Sequence, residues 1–317
     1  MGFHTVWLVY LGRRYGIVQS LSEKADTPRH LAKSLRLQGR AVETWCEAAA
    51  ALGLLTRTAQ GYALPQELRR FLTAEDDLEY LAGQFEYAAA MSLDYDHFDG
   101  LFRHGRALPA LSRRRGTAAI EAATRWDHTA FLDVALPRWP HLRAHLVRGA
   151  RVLDVGCGAG AWMVRTALRF PRSEFVGVDP DREALARARD PIERNDLGGR
   201  VSTKLAEAAH LDYKASFDLA YLGEVLSQVR DPVQVLRRVR RALKPRAHLV
   251  LLEGLRPARP SPGDAIVVAL QLDQILQGSR FFTRAELSAL LRRGGFRSAG
   301  PLDLGGGLWG ITAVRGT

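Results

Sequence analysis

Val152-Leu153-Asp154-Val155-Gly156-Cys157-Gly158-Ala159-Gly160 is the stretch around which the chain is organised. Residues 151–155 read as a short buried strand, and three glycines at alternating positions follow it. A helical run over 161–170 comes next. A chain passing from strand into helix must turn tightly, and a ligand must approach its backbone closely; glycine permits both. The free amides at the helix start then face a polar or anionic group. Phe175-Val176-Gly177-Val178 reads as a second buried strand that ends at Asp179. That acid lies roughly 20 residues beyond the glycine turn, where a nucleotide-binding βαβ unit places a carboxylate on ribose hydroxyls. Glycines and a placed acid together point to a ligand with an adenosine-like ribose.

Two cofactors fit that description. Gly156, Gly158 and Ala161 satisfy the dinucleotide pattern G-x-G-x-x-[GA]. Asp154, an acid inside the strand before the first glycine, favours S-adenosylmethionine. This cofactor has no pyrophosphate, but its amino acid end can be held by an acidic strand terminus and loop amides.

At these residues the sequence resembles the class I S-adenosylmethionine-dependent methyltransferases. D-x-G-x-G-x-G at Asp154 to Gly160 and G-V-D-P at Gly177 to Pro180 carry the resemblance. Phe217-Asp218-Leu219 and Leu243-Lys244-Pro245, ahead of a strand over 249–253, continue it in family order. The motifs cover about half the chain, and they are specific only together. The resemblance implies an α/β fold: a Rossmann-like, seven-stranded, mostly parallel methyltransferase sheet. It also implies roles. Asp154, Gly156, Gly158 and Gly160 would wrap the methionine end and ribose of S-adenosylmethionine. Asp179 would accept from both ribose hydroxyls, since a carboxylate has two acceptor oxygens and no donor. Glu207 stands where the family has an Asp that accepts from the adenine amino group. Gly223-Glu224 ends the fourth strand of this unit and would line the methionine side. No metal is expected. A dehydrogenase becomes remote, because Lys244-Pro245 and a two-strand carboxyl end fit the methyltransferase pattern.

A chain of 317 residues holds one large domain or two modest ones. No apolar run approaches the roughly 20 residues that span a bilayer. Met1-Gly2-Phe3-His4 lacks the charged start of a secretory signal, and Cys46 and Cys157 lie far apart. The expectation is a protein of the reducing cytoplasm without disulfides. The net charge of +11 raises the question of nucleic acid. The basic residues are mostly arginine and spread over most helices, dense only at Arg113 to Arg115 and Arg237 to Arg241. That distribution reads as solvated surface, the first cluster in a loop and the second on the outer face of a helix.

The amino-terminal part, 1–100, reads as a separate domain before a catalytic domain over 101–317 that includes helical segments covering the substrate. Residues 5–20 show helical spacing of apolar positions. Asp26-Thr27-Pro28 opens a helix to about Leu35, and a second helix spans about 41–52. Gly53 to Leu64 then reads as a two-stranded ribbon turning at Ala59-Gln60-Gly61. Helix, turn, helix and ribbon form the winged-helix pattern. Its second helix carries Glu43 and Glu47 among alanines, poor material for phosphate contact. This favours a dimerisation module and a homodimer over DNA binding, and small-molecule O-methyltransferases of the resembling family use such a domain in that way.

In that branch a His after the fourth strand serves as base, and a Glu in a G-G-R-E-R-T motif orients it. The matching positions here are Ser227 and Phe281, the latter in Gly278-Ser279-Arg280-Phe281-Phe282-Thr283. A serine hydroxyl is no base near neutral pH without an activator. Three readings follow. The acceptor is nucleophilic without help: an amine, thiol, acidic phenol or enolate carbon. Another residue is the base, with Tyr95, His97 and His128 as candidates beside Ser227. Or the fold is repurposed for cyclisation, rearrangement or hydroxylation. The leading reading is a methyltransferase acting on a small aromatic or apolar, natural-product-like metabolite. A winged-helix regulator that senses a metabolite is the rival from another class.

Overall fold

The computed structural model describes residues 2–108 and 118–316 of the chain. Two compact units emerge. The first comprises residues up to Asp99 together with 118–126, and the second comprises Gly100–Leu108 and the chain from Asp127 onward.

In the first unit, helices Gly2–Arg14 and Ile17–Glu23 divide at Gly16, whose φ of 73° interrupts the single helical run that the spacing predicts. The hydroxyl of Thr27 accepts from the amide of His30 and caps the helix Pro28–Ser34, as its capping side chain before a proline foretells. The helix Gly39–Ala51 follows, then the strands β1 (Thr56–Thr58) and β2 (Gly61–Ala63) pair as an antiparallel hairpin. Leu21, Leu31, Cys46 and Ala49 close the core between these elements. Residues 118–126 join this unit although they lie beyond the boundary at 100. The indole of Trp126 donates to the carbonyl of Leu78 at 2.7 Å, Arg125 pairs with Glu75, and Gly83 lies so close to the backbone of Ala122 that no β-carbon fits. Arg113 to Arg115 lie outside the described residues.

The second unit is built on one sheet. Its strands are β3 (Arg151–Val155), β4 (Glu174–Asp179), β5 (Val201–Leu205), β6 (Phe217–Gly223), β7 (Leu243–Gly254), β8 (Phe296–Ser298), β9 (Leu302–Gly305) and β10 (Leu308–Arg315). Their order is β5-β4-β3-β6-β7-β10-β8, with β9 added against β10. The strands β3 to β7 run parallel and β10 runs antiparallel to β7. The expected seven-stranded, mostly parallel sheet is therefore present, extended by the short β9.

Lys244 and Pro245 fall inside β7 and do not merely precede it, since Arg246 takes a φ of 62° and the strand resumes in a shifted register against β6. The ammonium of Lys244 meets Asp218 at 2.8 Å, and Asp218 also accepts from the amide of Arg151. This joins the two late motifs to the start of β3. Helices Ala161–Arg169, Arg182–Arg194 and Pro232–Ala242 connect the parallel strands. Arg237 and Arg241 on the last of them are exposed, as a solvated face requires.

The strand order reverses on either side of β3. In open α/β sheets a ligand lies outside the carboxyl ends of the strands at such a switch point. Here that crevice is framed by the ends of β3 and β6. Leu153 is completely buried in the core of the sheet. Leu153→Ala should lower the unfolding free energy by about 2–5 kcal/mol in urea titration. A loss below about 1 kcal/mol would contradict a packed centre at β3.

Candidate cofactor site

The glycine turn is held from beneath. The amides of Gly156 and Cys157 both donate to the carbonyl of Val178, at 2.8 and 3.2 Å, and the amide of Gly160 donates to Cys157 at 2.8 Å. Gly156 has a φ of 74°, and a β-carbon there would stand 2.5 Å from Cγ2 of Val225. Both the conformation and the close approach exclude a larger residue. The amide of Gly158 then donates to Oδ2 of Asp179 at 2.9 Å, while Oδ1 accepts from the amide of Asp181 at 2.8 Å. Burial raises the pKa of Asp179, and these two amides partly offset it. Each carboxylate oxygen keeps a further lone pair, so the acid has room for two more donors.

Asp154 lies at the other side of the turn, only 2% exposed. Its carboxyl has no hydrogen-bond partner among the described residues. Burial first, and then the nearby Asp179, push its pKa well above the ordinary carboxylate range. A buried carboxyl without a partner is costly, and an ammonium group supplies what it lacks. The residues therefore fit the amino acid end of S-adenosylmethionine at Asp154 and its ribose at Asp179. When bound, this cofactor supplies an activated methyl group. The Cys157 thiol in the turn is pushed up by burial, by Asp154 and by Asp179, so it stays protonated. Glu207 is exposed just beyond the end of β5 and pairs with His210 at 3.1 Å.

A second group of acids stands at the carboxyl ends of β6 and β7. Glu224, with a φ of 54°, accepts from the amide of Gly254 at 2.6 Å. Glu253 is fully buried; its Oε1 accepts from the amides of Val225 and Leu226 at 3.1 and 2.7 Å, and its Oε2 has no partner. Asp127, 9% exposed, opens the second unit from the helix Arg125–Thr129. Burial raises all three, and Glu224 and Glu253 raise Asp127 further. Glu224 moves from 4.5 to about 7. Tyr221, stacked on Trp162 at 3.7 Å between ring centres, feels Asp154, Asp127, Glu224 and Glu253 alike. The two groups of acids are thus neighbours.

Ser227 is 6% exposed, and its hydroxyl completes no hydrogen bond. Phe281 and Phe282 are buried, with Phe281 against Gly254, so this wall is apolar. The structure brings Asp154, Gly156, Gly158, Gly160 and Asp179 together, and sets Glu224 and Ser227 beside them. Tyr95 and His97 belong to the first unit, and His128 follows Asp127 on its helix. Sequence reasoning missed Asp127 and Glu253. An acid closing the apolar run Leu249 to Leu252 was a readable signal for Glu253; Asp127 carried none. Among the described residues, no group of three or more His, Cys, Asp or Glu is arranged to hold a metal ion.

Comparison with known proteins agrees with this geometry. Residues 146–258 match a family model described as a methyltransferase domain. An O-methyltransferase of Aspergillus nomiae, rstn1, is 31% identical over 157 residues, which are 49% of this chain and 68% of that protein. The demethylmenaquinone methyltransferase of Lactiplantibacillus plantarum is 36% identical over 119 residues, covering 37% of this chain and 50% of the relative. The chain spans half of that relative's length. Human N-acetylserotonin methyltransferase, solved with S-adenosylmethionine, superposes with a TM-score of 0.75 at 18% identity over 100% of this chain and 95% of its own. The dimethyltransferase of N,N-8-amino-8-demethyl-D-riboflavin from Streptomyces davawensis does so with 0.68 at 20%, over 100% and 96%. The chain belongs to the class I S-adenosylmethionine-dependent methyltransferases.

The buried acids give the fold a pH signature. A carboxyl raised in the folded state stabilises the protein fully below its unfolded pKa, and that contribution is lost as pH rises through the folded value. For Glu224 the window runs from 4.5 to about 7. Glu224→Gln removes the titration, so its melting temperature relative to the parent should rise by at least about 3 °C between pH 5 and pH 8. A constant difference across that range in calorimetry would contradict the assignment.

Proposed function

We propose that the protein transfers the methyl group of S-adenosylmethionine to a small, aromatic or otherwise apolar, natural-product-like metabolite, and does so without a His–Glu base pair. The observation that carries this reading is the wall beside the cofactor site. Ser227 stands where the resembling branch has its histidine, and Phe281 stands where it has the glutamate; both are buried. Methyl transfer gains much of its rate from proximity and alignment, because the methyl is already activated. A wall without an imidazole suits an acceptor that needs no strong base. The names of similar proteins support the substrate class, for they include O-methyltransferases and a dimethyltransferase of an aminated riboflavin.

In this reading the chain's own residues divide the work. Asp179 binds the ribose hydroxyls, Asp154 the cofactor's ammonium, and Glu207 reaches for the adenine amino group. The turn Gly156 to Gly160 brings its backbone close to the ligand. The aromatic pair Trp162–Tyr221 and the phenylalanines exclude water from the reacting end. The helix Ala265–Leu276 is tied to the turn after β6, since Gln228 donates to Gln274 at 3.1 Å. The first unit, a winged-helix module in this reading, pairs two subunits. Its helix Gly39–Ala51 presents Glu43 and Glu47, which repel phosphate. The protein works in the cytoplasm as a homodimer.

Asp179→Ala should weaken S-adenosylhomocysteine by on the order of 2–4 kcal/mol in calorimetric titration, because two charge-assisted hydrogen bonds are lost. Unchanged affinity with the fold intact would refute the ribose assignment, and a gain in NADH binding would favour a dehydrogenase instead. Sedimentation should give twice the chain mass of 35.1 kDa. A monomer, or retention on specific DNA at physiological salt, would overturn the role of the first unit. With a fixed acceptor, the single-turnover rate should follow the acceptor's own ionisation in the parent and in His128→Ala and His97→Ala. A step near ~6.5 that vanishes in one of those variants would place the base on that histidine.

A further inference from the structure

We propose that the methyl acceptor is a basic amine, and that Asp127, Glu224 and Glu253 form its seat at the carboxyl ends of β6 and β7. This rests on the methyltransferase reading and names its substrate class. The three acids come from separate parts of the chain and meet beside the cofactor acids. Among the described residues, no Lys, Arg or His enters the electrostatics of any of the three. Oε2 of Glu253 is buried and has no hydrogen-bond partner among the described residues.

Ser227 provides an independent pointer. Its hydroxyl is buried and directed at Glu253 closely enough to favour the charged carboxylate, yet it completes no hydrogen bond. A hydroxyl and one carboxyl oxygen are thus left with open valences in one place. An ammonium has three donors and one positive charge, and it satisfies that set; a hydroxyl brings one donor and no charge.

The chemistry follows the same sign. The groups that face the seat are Glu224 from the end of β6, Glu253 from β7, Asp127 from the helix before the sheet, Tyr221 within β6 and Asp154 on β3. All are acids. Negative surroundings oppose an acceptor that must become an anion, such as a phenolate, and favour one that becomes a cation. The acceptor enters as an ammonium in place of protons that two seat carboxyls give up to water, and one N–H proton then passes to one of these carboxylates, leaving the nitrogen lone pair free. That pair forms the N–CH3 bond as the methyl–sulfur bond breaks with its electrons staying on sulfur. The positive charge moves from sulfur to nitrogen, where the remaining carboxylate faces it. The seat later returns its proton to water. No histidine is required, which accounts for Ser227 and Phe281 at the family's base positions.

The test uses the full chain saturated with S-adenosylhomocysteine. Calorimetry at pH 7.5 compares matched pairs of equal shape, beginning with 2-phenylethylamine and 2-phenylethanol and extending to larger aromatic amine and alcohol pairs. The amine should bind at least 10-fold more tightly in the pairs that fit. The preference should fall below 3-fold in Glu224→Gln and in Asp127→Asn, while S-adenosylhomocysteine binds Asp127→Asn within 3-fold of the parent. With a methyl-labelled cofactor, the label should appear on nitrogen. Equal or weaker binding of every amine overturns the inference, as does label on oxygen. Weakened S-adenosylhomocysteine in Asp127→Asn overturns it as well, because that acid would then hold the cofactor's own ammonium. If the parent protein fails to bind S-adenosylhomocysteine at all, the methyltransferase reading itself fails.

Discussion

The carbonyl of Val178 accepts from two successive amides of the glycine turn, and the cofactor site depends on this contact. It ties the exit of β3 to the exit of β4, so the turn cannot drift from the acid that follows Val178. Asp179 closes the ring by accepting from Gly158. A carbonyl, a carboxylate and three left-handed glycines thereby fix the shape of the turn, at which the proposed reading puts a ribose and an amino acid end. Enlarging Gly156 would force its β-carbon into Val225, the residue that begins the turn after β6. The same residue therefore couples the cofactor turn to the end of β6.

Electrostatics sets the second constraint. Four carboxyls, Asp127, Asp154, Glu224 and Glu253, are withdrawn from water around one tyrosine, and among the described residues no basic side chain offsets them. Burying isolated charges is costly, and the chain avoids that cost in the free state by holding protons there. The chain's net charge of +11 does not help, because exposed arginines are screened by solvent. A site of this kind exchanges protons for a cationic ligand, and the family cofactor carries a sulfonium and an ammonium.

Local spacing made the cofactor side legible. Strand, glycines, helix, strand and acid follow one another within a single βαβ unit, so their order along the chain is also their order in space. The cap at Thr27 and the hairpin after Leu55 were readable for the same reason. Contacts between distant segments were not. Asp127 looks like any helix residue until folding sets it beside Glu224. Residues 118–126 pack on the first unit through Gly83 and Leu78, which no pattern in the sequence announces. Pro245 reads as a breaker, yet it lies inside β7, where Arg246 absorbs the irregularity in a left-handed conformation.

In the proposed reading the glycine turn and Asp179 are the place where the cofactor is held. Amide hydrogen exchange, followed with and without saturating S-adenosylhomocysteine, tests this at the level of single segments. The prediction is slowed exchange in the peptides that contain Gly156 to Gly160 and Asp179 to Asp181, because those amides become covered or their loops become ordered. Tight binding of S-adenosylhomocysteine with exchange in both segments unchanged, and protection elsewhere, would contradict it.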